Sequence, residues 1–137
     1  MPLAHFHLAD KDVSNEQLEI IAREATQIYA EVLDSPIDRI RIFINLHAPN
    51  LVAVGGKLIS NGGELSPYFD FIVLQGRSLD QRREITERFT ALLTNVLGVS
   101  KQSIRGRCCE VLPENWSIGG VLAAELRKAE IEARAAK

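Results

Sequence analysis

The chain repeats itself. At a spacing of 64 residues, Ser14 matches Ser78, Gln17 matches Gln81, Ile21 matches Ile85, Val32 matches Val96 and Leu33 matches Leu97. Ile40 then matches Ile104, Arg41 matches Arg105, and Gly55-Gly56 matches Gly119-Gly120. Agreement that runs through segments of different local pattern is the mark of a duplicated structural unit, so whatever the first half folds into must occur twice.

The unit can be read from its parts. Residues Met1 to Leu8 form a short strand with Pro2 behind the initiator methionine. Ser14-Asn15-Glu16-Gln17 is a capping box, in which the serine oxygen accepts from the first turn and the glutamine reaches back. Leu18, Ile21, Ala25, Ile28 and Val32 follow at steps of three and four, which predicts one apolar helix stripe that Ser35-Pro36 closes. From Arg39 to His47, Ile40, Ile42, Ile44 and Leu46 alternate with Arg39, Arg41, Phe43 and Asn45. That is a strand with one apolar face and one arginine-bearing face. Val52 to Gly56 reads as a short turn, and Ser60-Asn61-Gly62-Gly63 as a connection.

Pro67 then opens a strand from Tyr68 to Leu74, Gly76-Arg77 ends it, and Ser78-Leu79-Asp80-Gln81 is the second capping box. The second helix carries Ile85, Phe89, Leu92 and Val96 and stops at Gly98. Its strand, Ile104 to Val111, sets Arg105 and Arg107 on one face. The tail from Val121 is rich in Ala, Glu, Lys and Arg, which predicts a helix at the surface or at a subunit contact.

Two such units predict an α+β fold: duplicated β-α-β units forming a four-stranded mixed sheet with both helices on one face. One domain should span 1–137, with a first unit over about 2–56, a second over about 67–120 and a tail helix over about 121–137. The opposite sheet face would carry Phe43 among the arginines, and an apolar side chain there predicts cover by another subunit.

Composition narrows the partners. With 137 residues, 46% hydrophobic and 25% charged, the chain has ordinary soluble composition. A formal charge of −2 without a basic run gives no reason to expect nucleic acid or an anionic membrane. No stretch has the apolar length of a bilayer span and the start lacks a basic segment leading into an apolar one, so the cytoplasm is the expected compartment. Cys108 and Cys109 are adjacent on a strand and point to opposite faces, which suits packing rather than a disulfide. His5 and His7 share one face at a spacing able to chelate zinc, but two histidines on a sheet are more often packed or hydrogen-bonded. No metal and no cofactor is expected.

Pro2 is the residue with chemistry of its own. Once the methionine is removed its nitrogen is a secondary amine of reference pKa about 7.7 to 8, and a modest downward shift makes it a general base at neutral pH. The plainer alternative is that proline merely starts an edge strand.

Together, the leading proline and the paired β-α-β units resemble the tautomerase superfamily, whose members begin with a catalytic proline and are built from such units, separate or fused. The likeness spans Pro2 to Gly120. The second half is the closer match to the 4-oxalocrotonate tautomerase pattern, through Gly76-Arg77-Ser78, Ser103-Ile104-Arg105 and Trp116-Ser117-Ile118-Gly119-Gly120. The resemblance implies that Arg77 and Arg105 bind substrate carboxylates and that Trp116 lines an apolar wall; Arg107 and Asp38 join them as candidate substrate-binding residues. Pro67 stands at the second unit's proline position, but its nitrogen is an amide. In the first unit Asp12 and Val52 stand where the arginine and the aromatic would be. Each half lacks what the other keeps, and fused relatives place the proline of one half beside the arginines of the other in a trimer.

The resemblance therefore implies a cofactor-independent tautomerase in which Pro2 interconverts keto and enol forms of a small carboxylate-bearing acid, of the 5-carboxymethyl-2-hydroxymuconate isomerase type, in a homotrimer. Guanidinium groups near Pro2 would disfavour its ammonium form and hold both carboxylate and developing enolate. Malonate semialdehyde decarboxylases are also similar, through Asp38-Arg39, Arg77 and Trp116-Ser117, although Gln75 stands where they carry a second arginine. A non-catalytic, cytokine-like binding role of the same fold is the third reading. The dehalogenase branch fits poorly, since Ile118 and Tyr29 stand at its carboxylate and histidine positions.

Overall fold

The structure, a computed structural model, describes residues 2–136. Met1, whose removal would free the Pro2 amine, and Lys137 lie outside the described residues. The first unit holds β1 (Leu3–Ala9), α1 (Asn15–Leu33), β2 (Arg41–His47) and a small hairpin, β3 (Ala53–Val54) with β4 (Lys57–Leu58). The second holds β5 (Tyr68–Leu74), α2 (Leu79–Leu97), β6 (Arg105–Val111) and the hairpin β7 (Ser117–Ile118) with β8 (Val121–Leu122). The tail forms α3 (Ala123–Leu126) and α4 (Lys128–Ala135).

Both helices start where the capping boxes stand. Ser14 and Ser78 each accept from the backbone N–H three residues on, and Gln17 and Gln81 each reach back to the cap. The glutamines do a second job: Gln17 Nε2 donates to the Val96 carbonyl at 3.0 Å, and Gln81 Nε2 to the Val32 carbonyl at 3.2 Å. These reciprocal bonds tie the start of each helix to the end of the other, so α1 and α2 lie antiparallel and the halves are related by an approximate two-fold axis.

The sheet runs β2-β1-β5-β6 and is mixed, as expected: β1 is parallel to β2, β5 is parallel to β6, and the central pair β1 and β5 is antiparallel. That central pairing sends Pro2 and Pro67 to opposite ends of the sheet. The helices cover one face, where Ile21, Tyr29, Ile85 and Phe89 pack on Phe6, Phe69 and Phe71. Size is exchanged between the halves. Ala4 pairs with Ile42 in the first unit, whereas Phe69 pairs with Gly106 in the second. A Cβ on Gly106 would run into the Phe69 ring, so glycine there makes room for it.

The other sheet face is uncovered. Phe43 is 49% exposed and stacks on His5 with ring centroids 5.3 Å apart, while His7 stacks on Tyr68 at 5.5 Å. His7 Nδ1 lies 2.9 Å from His47 Nε2, so one of the two rings donates to the other. The histidines are thus stacked and hydrogen-bonded. Among the described residues no group of three or more His, Cys, Asp or Glu side chains is placed to hold a metal ion, and no described helix is long and apolar enough to cross a membrane. Cys108 and Cys109 are free thiols, and burial pushes the Cys108 thiol up to about 11, which keeps it protonated at neutral pH.

Three segments differ from the sequence expectation. β2 begins at Arg41 instead of Arg39, because Ile37–Arg39 form a 3-10 turn closed by Arg39 N–H donating to the Pro36 carbonyl at 3.1 Å. Arg39 therefore leaves the arginine-bearing face. Val52 to Gly56 belongs to a hairpin rather than an isolated turn; Gly55 and Gly56, at φ of +59° and +81°, supply the left-handed pair such a two-residue connection requires. The tail helix begins at Ala123 rather than at about 121, because Val121 and Leu122 pair with β7 as β8, and it is broken at Arg127 (φ −113°, ψ 20°).

Candidate active site

Pro2 is buried at the head of β1, with its carbonyl accepting from the Arg41 N–H at 3.0 Å. Because β5 runs antiparallel to β1, its C-terminal end arrives beside Pro2, and Gly76 (φ +113°) then turns the chain so that Arg77 follows. A small void of about 30 Å³ is lined by Pro2, Leu33, Ile72, Arg39, Arg77 and, from the tail, Arg127, Glu130 and Arg134. It adjoins a wider depression of about 760 Å³ that includes Gly76, Ser78, Gln81 and the same arginines 39, 77 and 134.

Arg77 donates from Nη1 to the Leu33 carbonyl at 2.9 Å, using the end of α1 as an anchor. Burial first, and the neighbouring Arg134 charge second, lower its pKa to about 10; Asp34 and Glu130 oppose them. It remains cationic at neutral pH, and the strain of its half-buried charge makes an incoming anion welcome. Arg39 grips Glu130 with both terminal nitrogens, each 3.0 Å from a carboxylate oxygen. Its hydrogen bond to Arg39 chiefly holds the Glu130 carboxyl below the usual range, and the same bond raises the pKa of Arg39.

Of the sequence candidates, Pro2 and Arg77 are brought together. Arg105 is not beside them within one chain: it sits at the start of β6, paired with Tyr68 at the far end of the sheet, exposed, with Nη1 donating to the Gln102 carbonyl at 2.6 Å. Arg107 is exposed two pairs further along, opposite Asp70. Trp116 precedes β7, and its carbonyl accepts from the Ala123 N–H at 2.8 Å; its side chain does not line the void. Asp38 is exposed on the 3-10 turn, and its carbonyl accepts from Arg41 Nη1 at 2.7 Å. Tyr29 is fully buried, its hydroxyl 3.0 Å from the carbonyls of both Leu3 and Ile72, the strand residues that follow Pro2 and face it.

Sequence reasoning singled out Arg39 only through the likeness of Asp38-Arg39 to the decarboxylases and otherwise set it on a strand, missed Arg127, Glu130 and Arg134 as pocket residues, and took the tail for a surface or subunit contact. Signals existed for both. Ser35-Pro36 ahead of Arg39 marks a turn that the continuing alternation masked. Arg127, Glu130 and Arg134 recur at steps of three and four, one side of a helix.

The pocket at the other end is the two-fold counterpart. It has a volume of about 530 Å³ around Pro67, with Asp12 at the place of Arg77 and Leu97 and Val99 at those of Leu33 and Ser35. The connection through Ile59 and Leu65 covers it, as the tail covers the Pro2 end.

Known proteins place this geometry in context. A family model described as Tautomerase enzyme matches residues 2–62 and again 67–125. The 2-hydroxymuconate tautomerase of Comamonas testosteroni is 35% identical over 60 residues, 44% of this chain and 95% of that protein. Its namesake from Pseudomonas fluorescens is 37% identical over 57 residues, 42% of this chain and 89% of that protein. Among solved structures, a native fused 4-OT superposes with a TM-score of 0.85 at 19% identity, covering 91% of this chain and 98% of that one. A wild-type fused 4-OT solved as a symmetric trimer gives 0.81 at 19% identity over 90% and 98%. N1, of the cis-3-chloroacrylic acid dehalogenase family, gives 0.76 at 14% identity over 98% and 99%. At these identities the three structures speak for the fold alone.

Proposed function

Because the chain belongs to the tautomerase family and is an isomerase of that type, we propose that its Pro2 amine, freed by removal of Met1, moves a proton between oxygen and carbon of a small carboxylate-bearing enol, a 2-hydroxymuconate or its carboxymethyl analogue. The observation that carries this reading is the burial of Pro2 in a pocket shared with the half-buried Arg77. The neutral amine takes the enol hydroxyl proton, the electron pair moves through the conjugated system, and the resulting ammonium returns a proton to carbon. Nearby guanidinium charge disfavours the ammonium and so lowers the pKa of the amine. Arg77 can hold the substrate carboxylate or the oxygen on which charge develops.

Arg105 and Trp116 reach a Pro2 site in this reading from the surfaces of a homotrimer, with Arg105 contributed by another copy. Two features support it: Arg105 is exposed at the end of the sheet remote from its own Pro2, and the exposed Phe43 lies on the uncovered face. A stable monomer in sedimentation at micromolar concentration would remove this part. Asp38, on which the decarboxylase reading leans, is exposed and outside the pocket lining, while its neighbour Arg39 lines it. The test is loss of 2-hydroxymuconate absorbance with processed protein: turnover that falls steeply in Pro2→Ala is expected, and equal turnover in both proteins would overturn the proposal.

A further inference from the structure

The void beside Pro2, at about 30 Å³, has room for little more than one water. The enol acids of the function proposed above, on which this inference rests, are several times larger. Something must move for such a molecule to reach the amine, and α4, at the surface, is the lining element least held by burial. None of the α4 residues is buried. It reaches the pocket through Glu130 and Arg134, with Arg127 just ahead of it.

The contact that seats the helix has a particular form. Glu130 presents a carboxylate, and Arg39 takes it with two parallel hydrogen bonds of 3.0 Å, the fork geometry an arginine offers to any carboxylate. Among the described residues that line this void, four are arginines, 39, 77, 127 and 134, and Glu130 is the one acidic side chain. Arg127 adds a buried Nε that has no hydrogen-bond partner among the described residues. The pocket is thus built for anions, and one carboxylate is already in it.

We propose that Glu130 is a resident carboxylate standing where a substrate carboxylate binds, and that Arg39 is a substrate-binding residue that Glu130 masks while α4 is seated. The incoming carboxylate takes the Arg39 fork, Glu130 moves into water, and α4 lifts from Pro2. One carboxylate replaces another, so the exchange is nearly balanced. The ion pair given up is partly exposed, at 26% for Arg39 and 45% for Glu130, and such pairs are weak. A neutral enol gains nothing on Arg39 and leaves the helix in place, so the device selects acids. Arg39 and Arg77 then flank the amine.

Calorimetric titration with adipate, a six-carbon dicarboxylate that has no enol to turn over, tests this in the full chain. Glu130→Gln should bind adipate about 2- to 5-fold more tightly than the wild type, and Arg39→Ala about 10-fold or more weakly. Glu132→Gln, the same charge change elsewhere on α4, should bind as the wild type does, and Arg39→Ala with Glu130→Gln should bind no better than Arg39→Ala alone. Unchanged or weaker binding in Glu130→Gln, an equal gain in Glu132→Gln, or no adipate binding in any form would each overturn the proposal. Adipate does not react, so a failure to turn over 2-hydroxymuconate leaves this result untouched. Conversely, normal turnover with unchanged adipate binding in Glu130→Gln would remove the lid and leave the catalytic reading standing.

Discussion

At the Pro2 end of the sheet, β5 delivers Arg77 beside a chain start, and Arg39 and the tail arginines gather around it; at the Pro67 end, β1 delivers Asp12 beside a proline held in mid-chain. The two ends share a backbone. Every element from α1 to β4 returns 64 residues later, the capping boxes are the same, and even the N–H donors that follow the prolines match, from Arg41 to Pro2 at 3.0 Å and from Arg105 to Pro67 at 3.1 Å. What differs is side chains, the segment that covers each end and one covalent fact. An amide nitrogen has no basic lone pair, so Pro67 cannot act as Pro2 can, and a carboxylate beside it would repel an acid. Duplication supplied two equivalent frames, and chemistry in this account resides in one of them.

Substitutions can break this contrast, and the largest effect belongs to Arg77. Arg77→Ala should lower kcat/KM by about 100- to 1000-fold if it holds developing charge in a desolvated pocket, while Asp12→Ala, its counterpart, should leave turnover within about two-fold. Steady-state kinetics on both proteins decides the point. Next is the packing exchange: Gly106→Ala should cost about 1–3 kcal/mol in denaturant unfolding, because the new methyl meets the Phe69 ring. Ile42, its partner across the two-fold axis, already carries a side chain against the small Ala4. Tyr29→Phe removes the hydroxyl that bonds the carbonyls behind Pro2 and should cost about 1–2 kcal/mol; the corresponding Leu93 has no such bond to lose.

The smallest effect is a pH dependence. Burial, and then the His47 charge, lower the pKa of His7 below its usual value of 6.5. The unfolded chain therefore binds that proton more readily, so stability should be complete above about pH 6.5 and decline as pH falls through the window below it. His7→Gln should flatten the decline in thermal melts taken between pH 7 and pH 5. Ile72, the equivalent residue on β5, contributes nothing to it.

Much of the frame was legible because it is local. Ser14 with Gln17, and Ser78 with Gln81, announce helix starts through contacts three residues apart, and the alternation from Ile40 to Leu46 needs only neighbours. The mixed sheet followed from the repeat and the handedness of its crossovers. What stayed hidden was long-range. The composition of the tail predicts a helix but says nothing of where it docks, and the Arg39–Glu130 pair joins residues 91 apart in sequence. Arg39 was also misplaced because Ile40 keeps the strand alternation running through what is a 3-10 turn. Pro2 with Arg77 came from resemblance, and the antiparallel pairing of β1 and β5 gives it a physical cause.

The central claim is that the Pro2 amine is a base poised by neighbouring guanidinium charge, and the most direct measurement is kcat/KM against pH for 2-hydroxymuconate, on processed protein confirmed by intact mass. The neutral amine is the active form, so activity should rise with pH through an apparent pKa below the free-amine value of about 7.7 to 8. That pKa should move up in Arg77→Ala, and a form retaining Met1 should be inactive while keeping the fold. Undiminished turnover by the Met1-retained form would contradict the account.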